Sequence, residues 1–257
     1  MNHGRKVQLL TLANHLSVMI GIGWIMIYGP IYYLLIGFGC YIIIGVLSAN
    51  VAMHRYLSHR SFTTAPRKDK FLKWVSILCA FGSPVSWVAL HRHHHATSDR
   101  HDDIQDPKRI GVVRSWLSLY PEVKINPRLI GDLIRDPTVK IIHSWYFRIL
   151  LGLYALVFMV DPLLMVFMFC FPAVLCFHGA AAIGVIPHYR SLGYRVADTK
   201  DHSVNSVLAS ALSLGEGWHN YHHYKPGDHR HGHLPWEFDP SAWVIERFFK
   251  ETSNRGC

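Results

Sequence analysis

The sequence predicts an all-α integral membrane protein, with four transmembrane helices in two hairpins and a cytoplasmic helical cap built from the polar remainder. Three observations predict it. Half of the 257 residues are hydrophobic, too apolar a balance for an ordinary soluble chain of this length. Four runs are long and apolar enough to cross a bilayer, which takes about 20 residues. Neither of the two short turns that join these runs in pairs carries a Lys or Arg. A single domain over residues 1–257 is expected.

The elements follow in order. Residues 9–28 carry no charge and form the first span, and Gly29-Pro30 turns the chain. Residues 31–53 return without a charge and run straight into His54. The cap then occupies 54–144. An apolar run from Phe71 to Leu90 interrupts it, but Lys73 sits near its start and Gly82-Ser83-Pro84 breaks its middle. If this run crossed, His59 and His91 would lie on opposite sides of the bilayer, so it is expected to be interfacial or re-entrant. Residues 145–160 form the third span, with Arg148 able to snorkel at its inner boundary. Asp161-Pro162 turns the chain, the fourth span fills 162–187, and the cap resumes over 188–257.

Charge tests this topology. The formal net charge is +9. Of the 26 Lys and Arg residues, two precede the first span, sixteen lie in 54–148 and eight follow His188. The positive-inside rule then places both termini and the whole cap in the cytoplasm, facing anionic lipid. A basic balance combined with long apolar runs argues against a nucleic-acid partner. The apolar run behind Arg5 and Lys6 has no convincing cleavage site and is expected to be a retained span. Of five cysteines, Cys40, Cys79, Cys170 and Cys176 lie in apolar stretches and Cys257 in the tail. None forms a CxxC pair, so no disulfide framework is expected.

The remaining signal is histidine. His219, His222 and His223 stand at i, i+3, i+4, as do His91, His94 and His95, and residues three and four apart share a helix face. His54 and His59 form a third cluster. Eight imidazoles are too many for one metal ion and about right for two. No cysteine accompanies them, the paired Glu-x-x-His motifs of carboxylate-bridged di-iron bundles are absent, and so is HExxH. The cap is therefore expected to carry a di-metal site. Redox metals beside spans able to hold an alkyl chain suggest oxygen chemistry, because no side chain by itself can take hydrogen from an unactivated methylene. Asp99, Asp102, Asp103, Asp106, Asp201 and Glu216 are candidates to orient the rings through hydrogen bonds, and Asn220 lies within the third cluster.

HRYLSHRSF (54–62), WVALHRHHHATSD (87–99) and LGEGWHNYHH (214–223) resemble the three histidine boxes of the membrane fatty acyl desaturases, in the branch that includes stearoyl-CoA desaturase. The resemblance covers span pairs, box order and box spacing. It implies a non-haem di-iron centre with nine histidine ligands: His54, His59, His91, His94, His95, His219, His222 and His223, with His188 matching the ninth. It further implies that one iron takes His54, His59, His91, His95 and His223 and the other His94, His188, His219 and His222. Asp201, Ser203 and Asn205 fit the family stretch before the last box, and Trp87 falls where the family lines its acyl tunnel. The implied reaction inserts a double bond into a saturated acyl chain, using O2 and two electrons. No cytochrome b5-like His-Pro-Gly-Gly segment is present, so a separate donor of ferredoxin, rubredoxin or cytochrome b5 type is expected.

Three positions depart from the family. Gly184 stands where an Asn is usual, two extra residues separate His188 from Gly193-Tyr194-Arg195, and Ala89-Leu90 replace an Arg-Asp found near the head group in animal acyl-CoA desaturases. Acyl-CoA, acyl-lipid and acyl-carrier substrates therefore stay open. A hydroxylase with the same centre, or a membrane metal-binding protein without catalysis, are the rival readings. Blander readings stand beside single residues. His188 can be a helix-end histidine meeting headgroups, and Trp87 an interfacial anchor. His93 is expected to face outward, and His15 and His178 to be hydrogen-bonded inside the bundle. His229, His231 and His233 read as loop, and His3, His101, His143 and His202 as ordinary surface.

Overall fold

The computed structural model describes residues 2–121 and 124–251, so Cys257 lies outside the described residues. The chain is helical throughout. Helix α1 (His3–Tyr28) is opened by the Asn2 side chain, which accepts from the Arg5 N–H, and closed by Gly29. Helix α2 (Tyr32–Ile43) continues without a break into a π-helical stretch, Ile44–Ser58. Next come α3 (Pro66–Val75), α4 (Pro84–Thr97), and the short α5 (Pro107–Ile110) and α6 (Val112–Trp116). Helix α7 (Pro137–Phe158) starts where the Asp136 carboxylate accepts from the Val139 N–H. The turn after it leads into α8 (Pro162–Met165), a π turn, and α9 (Phe171–Val185), which tightens into a 3-10 turn at Ile186–His188. The tail carries α10 (Val207–Ser213), α11 (His219–Tyr224) and α12 (Pro240–Val244). Among the described residues there is no strand, only isolated bridges of Asn205 to Tyr194 and Trp218.

Four helices are long and apolar enough to cross a membrane: His3–Tyr28, Tyr32–Ser58, Pro137–Phe158 and Pro162–His188. Large apolar side chains such as Met19, Ile20, Leu35 and Val160 point outward from them, as in helices whose solvent is lipid. The helices outrun the apolar runs. Helix α1 begins at His3 rather than residue 9, and α7 at Pro137 rather than 145, because capping residues and not hydropathy set where a helix starts. The 71–90 run is not one helix. It breaks between α3 and α4, where Ala80 and Gly82 take positive φ angles, and it is not among the four.

The ends of the long helices sort into two groups. At one end Tyr33 hydrogen-bonds Asp161, joining the two turns. At the other, His3 stacks on His143 at 5.6 Å and its Nε2 meets Ser86 Oγ at 2.9 Å; His143 is exposed, as expected of a surface residue, and His3 is partly sheltered. Cys40, Cys79, Cys170 and Cys176 are free thiols.

Candidate metal centre

The first histidine pair depends on the π-helix. Residues five apart on an α-helix point roughly 140° away from each other, at 3.6 residues per turn. The i→i+5 bonding of a π-helix brings them nearly into line. Accordingly the His54 and His59 rings lie 4.9 Å apart, and the His59 N–H closes back on the His54 carbonyl. Helix α4 supplies His91, His94 and His95, and α11 supplies His219, His222 and His223. His188, fully buried, comes from the 3-10 turn after α9.

These nine rings converge in two groups. The ligand nitrogens of His54, His59, His91, His95 and His222 lie within 4.8 Å of one another, and so do those of His94, His188, His219 and His223. One assignment implied by the family resemblance is corrected here. His222 stands with the first group and His223 with the second. The reason is helical phase. On both α4 and α11 the i, i+4 pair, His91/His95 and His219/His223, shares one face, while the i+3 ring turns toward the other group.

Four carboxylates hold four of the rings. His54 Nδ1 donates to Glu216 at 2.7 Å, His94 Nδ1 to Asp103 at 3.0 Å, His188 Nδ1 to Asp99 at 3.2 Å and His223 Nδ1 to Asp201 at 2.6 Å. A proton fixed on Nδ1 leaves Nε2 as the free lone pair, aimed at the centre. Local backbone puts these acids in place. Asp99 ends α4 with φ 57 and also accepts from the His202 N–H. Leu214 and Gly215 take φ 57 and 103, which swings Glu216 inward. A Cβ on Gly217 would meet the Ser210 nitrogen at 2.0 Å, so only glycine lets this turn lie on α10. Asn205 Oδ1 accepts from the Asn220 and Tyr221 N–H groups and so caps α11.

The remaining candidates fall elsewhere. Asn220 bonds the backbone of Val196 and Ala197, not an imidazole. Asp102 is exposed and offers His93 only its carbonyl, and Asp106 caps α5. Neither aspartate can orient a ring of the centre. His229 bonds Glu246, and His233 packs against Tyr221 with the rings tilted by 43°. His231 was expected to sit in an ordinary loop. The segment is a loop, but the His231 ring is buried 4.3 Å from that of His222, with Nδ1 3.2 Å from Glu216. Arg55 is a second residue of this kind. Its fully buried guanidinium bridges Glu216 (2.6 Å) and Asp239 (2.9 Å) and bonds the His229 carbonyl, which pins the 229–239 loop under the centre. Spacing gives no sign of either residue, because they meet the centre through a loop that returns to it late in the chain.

Burial sets the charge state of the rings. It holds His59, His91, His95, His219 and His222 well below their ordinary pKa, and His223 at about 4 despite its bond to Asp201. For His94 the Asp103 bond outweighs burial and raises the value. Burial would raise Asp99, but the His188 bond and charge bring it down to about 2. A set of largely neutral imidazoles, with anionic carboxylates behind them, is the donor state metals require.

The residues fit a metal pair on a second ground. His188 Nε2, His223 Nε2 and both nitrogens of His219 are buried without a hydrogen-bond partner. Buried polar atoms are seldom left so, and the convergent lone pairs account for it if cations sit between them. The third acidic group, His54, Glu216 and His231, is a poorer candidate, since Arg55 already neutralises Glu216. An apolar cavity of about 860 Å³ abuts the centre, reaching His54, His91, His94 and His219. Trp87 lines it and stacks on His91 at 4.9 Å, with the rings 10° from parallel.

Comparison with known proteins agrees with this geometry. The family model described as fatty acid desaturase matches residues 32–247. The sn-1 stearoyl-lipid 9-desaturase of Anabaena variabilis is 33% identical over 215 residues, covering 80% of this chain and 76% of that protein. The icosanoyl-CoA 5-desaturase of Limnanthes douglasii is 31% identical over 84% of this chain, but only 61% of its own length is matched. Delta-9 acyl-lipid desaturase 2 of Arabidopsis thaliana is 31% identical, with 80% and 68% covered. With its three histidine clusters gathered beside an apolar cavity and four membrane-length helices, the chain belongs to the fatty acid desaturase family, a family of oxidoreductases.

Proposed function

We propose that this chain inserts a double bond into a saturated fatty acyl chain, with O2 and two electrons, at a di-iron centre. The ligands are His54, His59, His91, His95 and His222 for one iron and His94, His188, His219 and His223 for the other. The observation that carries this reading is the convergence of nine buried or partly buried, mostly neutral imidazoles on two points at the wall of an apolar cavity. Overall, two hydrogens leave adjacent methylenes of the chain, and O2 with two electrons and two protons leaves as two waters. Bound iron supplies the oxidising power that no side chain has.

The protein's own residues do the rest. Trp87, Gly45 and Ala49 of the π-helical stretch and the apolar face of α9 hold the chain against the centre and exclude water. Glu216, Asp103, Asp99 and Asp201 keep protons on the outer nitrogens of four rings, so those rings cannot turn. Arg55 keeps Glu216 anionic within the interior. The four long helices form two transmembrane hairpins, and the histidines sit in a cap on the cytoplasmic side, where a separate ferredoxin, rubredoxin or cytochrome b5 type carrier delivers electrons. The Lys and Arg distribution supports that orientation.

Expression in a host without its own desaturase, followed by mass spectrometry of its lipids, tests the reaction. An acyl product lighter by two hydrogens is expected. A product heavier by one oxygen would make the chain a hydroxylase.

A further inference from the structure

The cavity is lined by α1, α4, α9, the π-helical stretch and the strip of chain after α6. Gly4, Gln8 and Leu12 form one stripe of α1 at four-residue spacing, and all three line the cavity while remaining exposed. Their neighbours His3, Val7, Thr11 and Asn14 line it from sheltered positions. Across the gap, Leu117 and Leu119 are likewise both lining and exposed, at 46% and 45%. The opening is thus edged by leucines, and it lies where the charge-free part of α1 begins, next to Arg5 and Lys6. That is the depth of lipid headgroups and upper acyl chains.

One hydrogen-bonded chain links the strip to α9 and α1 beside this opening, and its protons have a single arrangement. The indole of Trp116 can only donate, so His178 Nδ1, 3.0 Å away, accepts. His178 therefore carries its proton on Nε2 and gives it to His15 Nε2 at 3.2 Å. His15 in turn carries its proton on Nδ1 and gives it to the Thr11 carbonyl at 2.7 Å. The chain runs from the cap strip to α9 to α1 and joins three walls of the cavity. His3, bonded to Ser86 of α4, pins α1 a second time about 18 Å away along its axis, at 1.5 Å rise per residue.

We propose that the acyl chain of a membrane lipid is admitted sideways, between the Gly4/Gln8/Leu12 stripe and the 117–121 strip, and that Trp116, His178 and His15 form the tie that holds this doorway closed. The proposal rests on the reading of the cavity as the acyl site. It makes a bilayer lipid, not a water-soluble thioester, the source of the chain. The tie suits a doorway because it joins three separate elements; Trp116 also packs against Ala182, Ile186 and Ala209, an apolar contact that a phenyl ring retains when the bond to His178 is lost.

Photolabelling tests this without turnover. The purified chain, with and without iron, is placed in phosphatidylcholine vesicles in which one phosphatidylcholine carries a diazirine within its stearoyl chain. In a parallel arm, plain vesicles receive a diazirine-bearing stearoyl thioester from the water. Adducts from the lipid are expected on Ala180 and Ile183, on the cavity face of α9, as well as on the outward Met19 and Ile20. W116F should raise the cavity adducts about fivefold, the population shift expected from loss of one hydrogen bond. L12W should lower them. Lipid adducts confined to the outer residues, or cavity adducts from the thioester alone, overturn the route. An unchanged yield in W116F, with its iron content equal to that of the unmodified chain, overturns the tie. A chain that takes lipid into the cavity yet desaturates nothing leaves the route standing and overturns the reaction instead.

Discussion

Glu216 is the most informative single position. Its carboxylate, 1% exposed, accepts from His54 Nδ1 on one oxygen and from Arg55 Nε and Nη2 on the other. Both oxygens face donors, so an amide cannot replace it. In Glu216→Gln the NH2 group must confront either Arg55 or His54. Against Arg55 it loses two charge-assisted bonds and leaves a buried guanidinium with Asp239 as its one carboxylate, beside the His229 carbonyl. Against His54 it forces Nδ1 to accept, which moves the proton to Nε2 and removes the lone pair aimed at the centre. Loss of a carboxylate behind a metal-binding histidine typically costs 10–100-fold in affinity, or about 1.4–2.7 kcal/mol. The assay is iron bound after equilibrium dialysis against a competing chelator, with helix content followed by circular dichroism. The expected result is weakened affinity for one of two irons with the fold retained. Full stoichiometry at unchanged affinity would refute the reasoning, since the carboxylate would then have no hold on the ring.

Further outcomes follow from the same geometry. His222→Ala and His223→Ala should each weaken a different iron, so the double variant should be additive. Coupling should appear instead between His222 and His95, and between His223 and His219, as read by metal content. Gly45→Leu should exclude longer chains, because even a Cβ there would lie 2.6 Å from Leu214 and the leucine would fill the cavity beyond it. Each methylene denied burial costs about 0.8 kcal/mol, roughly fourfold in apparent affinity, measurable as a shift in product chain length. Asp132, half-buried between Arg92 (2.7 Å) and Arg60 (3.0 Å), gives a pH dependence. Burial raises its pKa, but the Arg92 bond and both cations bring it below the usual 3.8. Its stabilisation is then complete above that value and lost as pH falls through the depressed one. Thermal midpoints should drop in acid, and Asp132→Asn should flatten that part of the profile.

The sequence by itself determined the helical class, four membrane-length runs and eight clustered histidines; the ninth, His188, was marked only by the family resemblance. Hydropathy and i, i+3, i+4 spacing are local properties, and a helix turns them directly into faces. Asp99, Asp103 and Glu216 stand beside a histidine cluster in the chain and were candidates for that reason, although only Asp103 holds a ring of its own cluster, and Asp201 stands apart from all three. The division of the rings was not within the sequence's reach. Whether His222 or His223 joins the first group depends on how α11 is rotated against α4, and docking angle is not written in spacing. Nor could the chain reveal that His54 and His59 need a π-helix, that Arg55 and His231 lie under the centre, or that His15 and His178 complete a chain begun at Trp116. Each of these is a meeting of residues more than 60 positions apart or a local choice enforced by distant partners. Such contacts exist only once the helices have packed.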